Sequence, residues 1–88
     1  MPFYVYILQS EKDQRFYFGQ TQNIEKRIIE HNTGKSTYTQ KFIPWNLYAY
    51  KSCDSRKEAM KFERMLKNLH NQEKVLQFIG RHYFTVSK

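Results

Sequence analysis

The sequence predicts a small α+β domain, with short strands and flanking helices in one compact mixed layer. Three observations carry that expectation. Two aromatic, β-branched runs lie close together near the start, a helix-like segment separates them from a third run, and a strong helix start follows. The 88 residues suit one domain spanning 1–88, near the lower size limit at which a chain buries its own core.

Residues 3–8 are a strand-like run ended by the polar turn 9–14, and residues 15–20 are a second such run, so the pair reads as a hairpin. Tyr6 and Tyr17 then stand on neighbouring antiparallel strands, and the register decides whether they share a face. Thr21 or Asn23 caps a helix in which Ile24 and Ile28 lie one turn apart, with Gly34 as the stop. Arg27 and His31, spaced i, i+4, are stacked on one side of it. A polar stretch over 35–41 leads to Pro44, after which 45–50 reads as a third strand. Ser55-Arg56-Lys57-Glu58 is a capping box. Ala59, Phe62, Leu66 and Leu69 recur at helical spacing behind it and define a buried stripe. Glu63 sits beside that stripe, which puts its carboxylate at the edge of the core. An amphipathic segment over 72–79 follows, stopped by Gly80, and 81–88 shows no clear pattern.

Fifteen Lys and Arg against eight Asp and Glu give a formal charge of +7, which favours an anionic partner, nucleic acid above all. Between Lys26 and Lys67 stand ten basic and four acidic residues, so the excess lies in the middle of the chain. A basic balance also serves solubility alone, and the many aromatics serve a small core as well as base stacking. The single Cys53 forms no internal disulfide and is too few for a zinc cluster. No apolar stretch approaches the roughly 20 residues of a membrane helix, and Glu11 and Lys12 interrupt any signal-peptide pattern. A soluble, cytoplasmic protein without membrane contact is the expectation.

Tyr6 and Tyr17 are candidate proton acceptors once cations favour the phenolate, because a free phenol titrates near pH ~10. Arg27 offers a permanently charged fork to phosphate oxygens, and His31 a hydrogen bond to the phosphate or the nucleophile. Glu63 offers an oxygen ligand to a hard divalent ion whose remaining ligands come from water and substrate phosphate. The hydroxyl-rich segment holding Tyr38 and Thr39, between Lys35 and Lys41, suits contact with phosphate oxygens. Each feature alone also has a plain structural reading: half-buried strand tyrosines, a solvated Arg27–His31 helix face, an i, i+4 ion pair between Glu63 and Lys67, and an ordinary polar loop.

Val5-Tyr6-Ile7, Tyr17-Phe18-Gly19, Arg27, His31 and Glu63 resemble, in order and spacing, the motif of the GIY-YIG nuclease family. The chain is most similar to that family's small stand-alone bacterial members, through Glu30-His31-Asn32-Thr33-Gly34, Tyr38-Thr39 and Pro44-Trp45. The resemblance covers residues 3 to about 69 and treats 70–88 as a C-terminal helix and tail. It implies a small three-stranded antiparallel sheet flanked by helices. It also implies a metal-dependent endonuclease, related to the catalytic domain of excision-repair nucleases, that hydrolyses DNA phosphodiesters, branched or damaged DNA included, with one Mg2+ or Mn2+. By position it makes Tyr6 and Tyr17 the motif tyrosines, Arg27 the phosphate-binding arginine, His31 the polar residue a turn later and Glu63 the metal ligand. Val5 stands in place of the first motif glycine, and Gln20 where some members carry lysine. No sequence-reading element is evident, which leaves specificity to DNA shape or a partner protein. The alternative on the same fold is a catalytically weak or inactive nucleic-acid-binding module.

Overall fold

Residues 2–87 are described by a computed structural model. The chain runs through β1 (Phe3–Ser10), β2 (Phe16–Thr21), α1 (Ile24–Asn32), a 3₁₀ turn (Thr39–Phe42), β3 (Trp45–Cys53), α2 (Arg56–Lys67), α3 (Gln72–Arg81) and β4 (Thr85–Val86). The strands form one antiparallel sheet in the order β2-β1-β3-β4. The α+β class is as expected, but the sheet has four strands among the described residues, not three. β4 is two residues long and exposed, too short for any alternation to register in the sequence. It is held by its pairing with Ala49 and Tyr50 and by the Ser87 N–H on the Tyr48 carbonyl at 2.9 Å.

β1 is a central strand covered on both sides, so Val5, Tyr6, Ile7 and Leu8 are all buried in succession. Its alternation sorts them into two clusters. Val5 and Ile7 join Ala49, Cys53 and the apolar stripes of α2 and α3, whereas Tyr6 and Leu8 join Trp45 with Ile28 of α1 packed against them. The main cluster takes Val75, Phe78, Ile79 and Phe84 from the C-terminal segment. The C-terminal helix and tail thus form one wall of the core.

Asn23 is the cap of α1, its side chain accepting from the Lys26 N–H, and Ser55 caps α2 through the Glu58 N–H. Gly34 takes φ +84° just past the end of α1, the left-handed geometry that a helix stop asks of glycine. α3 begins at the cap Asn71 and runs through Gly80 to Arg81, so that glycine is not a stop. Among the described residues no helix is long and apolar enough to cross a membrane.

Candidate active site

The β1–β2 register sets Tyr6 opposite Gly19 and Leu8 opposite Tyr17. Paired residues share a face, and Tyr6 and Leu8 are two apart, so both tyrosines lie on the side covered by α1. There they meet His31, which is fully buried at the carboxyl end of α1. The Tyr6 phenol oxygen lies 3.1 Å from His31 Nε2, and Arg27 Nε donates to the same oxygen at 3.4 Å. The Tyr17 ring stands edge-on to the imidazole with centroids 4.9 Å apart. Gly19 makes room for this arrangement. A Cβ there would lie within 2.6 Å of Tyr6 Cζ and closer still to the phenol oxygen.

His31 is held from behind. Thr39 Oγ1 lies 2.8 Å from Nδ1, and the Thr39 carbonyl accepts the Trp45 indole N–H at 2.8 Å. Asn32 closes the unit, donating to the Trp45 carbonyl at 2.9 Å and accepting the Trp45 N–H at 2.7 Å. The three segments that look separate in the sequence, 30–34, 38–39 and 44–45, are thus one hydrogen-bonded scaffold beneath the imidazole.

Burial, and then the Arg27 charge, depress His31 to about 4 against a small opposing effect of Glu30, so the ring is neutral near pH 7. Tyr6 is pushed up to about 12, first by burial. The Arg27 hydrogen bond and charge oppose this, and the charges of Tyr17 and Glu63 reinforce it. Tyr6 therefore keeps its proton. Arg27 only donates, so the phenol oxygen accepts from it; in the Nδ1-protonated tautomer of His31 the Tyr6 O–H donates to Nε2 and the Nδ1–H faces the Thr39 oxygen. Arg27 also pairs with Glu30 at 2.9 Å, a contact that raises the guanidinium and lowers the carboxylate.

Glu63 stands on α2, which covers the Val5–Ile7 face of the sheet, and its charge has a small raising effect on the Tyr6 phenol. Its side chain is 19% exposed and pairs with Lys67 at 2.7 Å. It opens into a cleft of about 430 Å³ whose walls include Gln20 and Asn68. Tyr6, Tyr17, Arg27 and His31 thus converge directly, whereas Glu63 is paired with Lys67 and bears on them only through a small effect of its charge on the Tyr6 phenol.

The polar stretch expected to touch phosphate divides. Lys35, Tyr38 and Lys41 are exposed. Tyr38 stacks on Tyr17 with centroids 6.0 Å apart and accepts from Arg15 at 3.1 Å. Thr39 is fully buried with its hydroxyl on His31, so it positions the imidazole and does not present a hydroxyl to the surface. Trp45 and Asn32, quoted only as parts of motif segments, and Asn68, not singled out at all, are the site residues that sequence reasoning missed. The spacing of 30–34, 38–39 and 44–45 was the one signal for the first two.

Residues 2–76 match the family model of the GIY-YIG catalytic domain. The chain belongs to the GIY-YIG family. A UPF0213 protein of Streptococcus pyogenes serotype M5 (strain Manfredo) is 34% identical over 80 residues, covering 90% of this chain and 86% of that protein. A UPF0213 protein of the serotype M3 strain ATCC BAA-595 matches to the same extent. The solution NMR structure of a UPF0213 protein from Bacillus halodurans is 35% identical, with a TM-score of 0.55 over 89% of this chain and 83% of that one.

The divalent ion that GIY-YIG membership implies can be tested against the donor set. Among the described residues no three His, Cys, Asp or Glu side chains cluster, so an all-protein cage is out of reach. The Glu63 cleft offers one carboxylate with the amide side chains of Gln20 and Asn68, beside the cations Arg64 and Lys67. Those hard oxygens fit Mg2+ or Mn2+ shared with substrate phosphate and water, provided Lys67 releases the carboxylate.

Proposed function

We propose that this GIY-YIG domain is a divalent-metal-dependent endonuclease that hydrolyses phosphodiester bonds in DNA, branched or damaged DNA included, in the cytoplasm. The observation that carries the reading is the meeting of Arg27, His31 and Tyr6 at one phenol oxygen, with Tyr17 against the same imidazole. Tyr6 takes a proton from the attacking water as it passes its own to His31 Nε2, two protons each moving one site, so the ring ends as imidazolium while the P–O bond opposite the water breaks and the departing oxygen takes a proton from solvent. A phosphate beside Arg27 offsets the charge that helps hold His31 low, which makes the imidazole a better acceptor when substrate is present. Arg27 exchanges its Glu30 partner for phosphate oxygens and stabilises the charge that develops there. Tyr17, half-buried at the rim, positions the phosphate. One Mg2+ or Mn2+ would be held by Glu63 and would supply Lewis-acid polarisation of the phosphate.

The purified protein is expected to nick supercoiled and branched DNA with Mg2+ or Mn2+ and to leave it intact in EDTA. Glu63→Ala is expected to abolish nicking with an unchanged circular-dichroism spectrum. Equal cleavage by that variant would remove the assigned metal role. The second reading, a binding module without catalysis, is favoured by the Glu63–Lys67 pair and by a phenol at about 12. It predicts salt-dependent DNA binding with no nicking at any divalent ion.

A further inference from the structure

The outer face of α2 carries Arg56, Lys57, Met60, Lys61, Arg64 and Lys67, all exposed. At 100° per residue these six fall on one side of the helix, opposite Ala59, Phe62 and Leu66. Two acids border the face, Glu63 at its Lys67 end and Glu58 in the depression along it, and neither pairs with Arg56, Lys57, Lys61 or Arg64. Glu58 is half-buried with its carboxylate on the Asp54 N–H at 3.0 Å, and Glu63 is turned to Lys67. The ion pairs among the described residues use Arg15, Arg27 and Lys67, so Arg56, Lys57, Lys61 and Arg64 have no carboxylate partner. An ordinary solvated helix face interleaves both signs at i, i+4. This one stacks like charges, which repel unless a polyanion covers them.

The face also leads somewhere. A surface depression of about 870 Å³ along it and the 430 Å³ cleft at Glu63 share Met60 and Arg64 as walls, so the cationic surface continues into the cleft. From Arg56 to Lys67 the helix covers about 16 Å, or roughly five base pairs of duplex rise. The face presents no aromatic ring on which an unpaired base could stack. Cations alone read backbone charge.

We infer that the outer face of α2 is a docking track for the backbone of duplex DNA, leading it to the Glu63 cleft. It is separate from the Lys35–Lys41 surface beside α1. The inference rests on the DNA reading above and names where the flanking duplex lies.

The test measures binding of a blunt 20-base-pair duplex in EDTA by fluorescence anisotropy between 50 and 200 mM salt. The whole chain is compared with Lys57→Gln/Lys61→Gln/Arg64→Gln and with a control that removes the same charge elsewhere, Lys12→Gln/Lys74→Gln/Arg81→Gln. The α2 variant should show a log-affinity against log-salt slope shallower by about 2–3 and should lose affinity at 50 mM salt, the control changing little. Thermal melts of the variants establish that each is folded. An unchanged slope in the α2 variant, or equal changes in variant and control, overturns the track. The same titration is run with a 20-nucleotide DNA strand and a 20-nucleotide RNA strand, and a loss confined to either also overturns the track. Failure of the unaltered chain to bind duplex sinks the DNA reading itself, a result distinct from binding that ignores α2.

Discussion

The Tyr6 phenol lies over Gly19, where a methyl group would press on ring carbon Cζ and on the oxygen. Gly19→Ala must tilt the ring off His31 or spread β1 from β2. It should cost about 1–3 kcal/mol in urea unfolding and slow nicking on the order of 10–100-fold, because the reacting groups are displaced. His31 makes stability depend on pH. Its folded value of about 4 lies below the ordinary 6.5, so the unfolded chain binds a proton in that window that the folded chain refuses. Stability therefore falls as pH drops through 6.5 and levels off below 4, by about 2 kcal/mol between pH 7 and 5. His31→Gln should flatten urea midpoints across that range. Glu30 and Asp13, held low by Arg27 and Arg15, withdraw their contribution only in more acid solution. The candidate residues Tyr6, Tyr17, Arg27, His31 and Glu63 were named through their resemblance to the GIY-YIG motif, since each taken alone also suits a plain structural role. That Thr39 faces inward could not, since a hydroxyl between two lysines has the same local pattern on a surface loop as under a histidine.

Elements were legible where local chemistry specifies them. The hairpin, α1 and α2 follow from β-branched runs and from Asn23 and Ser55, whose side chains accept the backbone N–H groups each helix start leaves free. Elements whose limits depend on neighbours were not. β3 continues past Tyr50 to Cys53 because β1 pairs with it to Phe3. α3 passes through Gly80 because Ile79 is buried in the main core and fixes the backbone there. A glycine near a helix end is a stop only when a left-handed residue is needed, as at Gly34. β4 exists through pairing alone.

At the scale of the molecule, α3 and the tail are structural. Val75, Phe78, Ile79 and Phe84 belong to the main core, and burying each contributes about 1.5–3 kcal/mol against a net stability of about 5–15 kcal/mol. A chain ending at residue 70 should fail to fold, seen as loss of a cooperative thermal transition. If it melts cooperatively, the core assignment is wrong. The sequence by itself determined the α+β class, the helix starts, the positive charge and the kinds of side chain available for phosphodiester chemistry. All of these are set by local propensity or composition. Only the tertiary structure decided that Tyr6 and Tyr17 share a face, that Asn32, Thr39 and Trp45 brace His31, and that Glu63 lines a cleft with Gln20 and Asn68. Strand register and the packing of segments remote in the chain are set by contacts that no local pattern encodes.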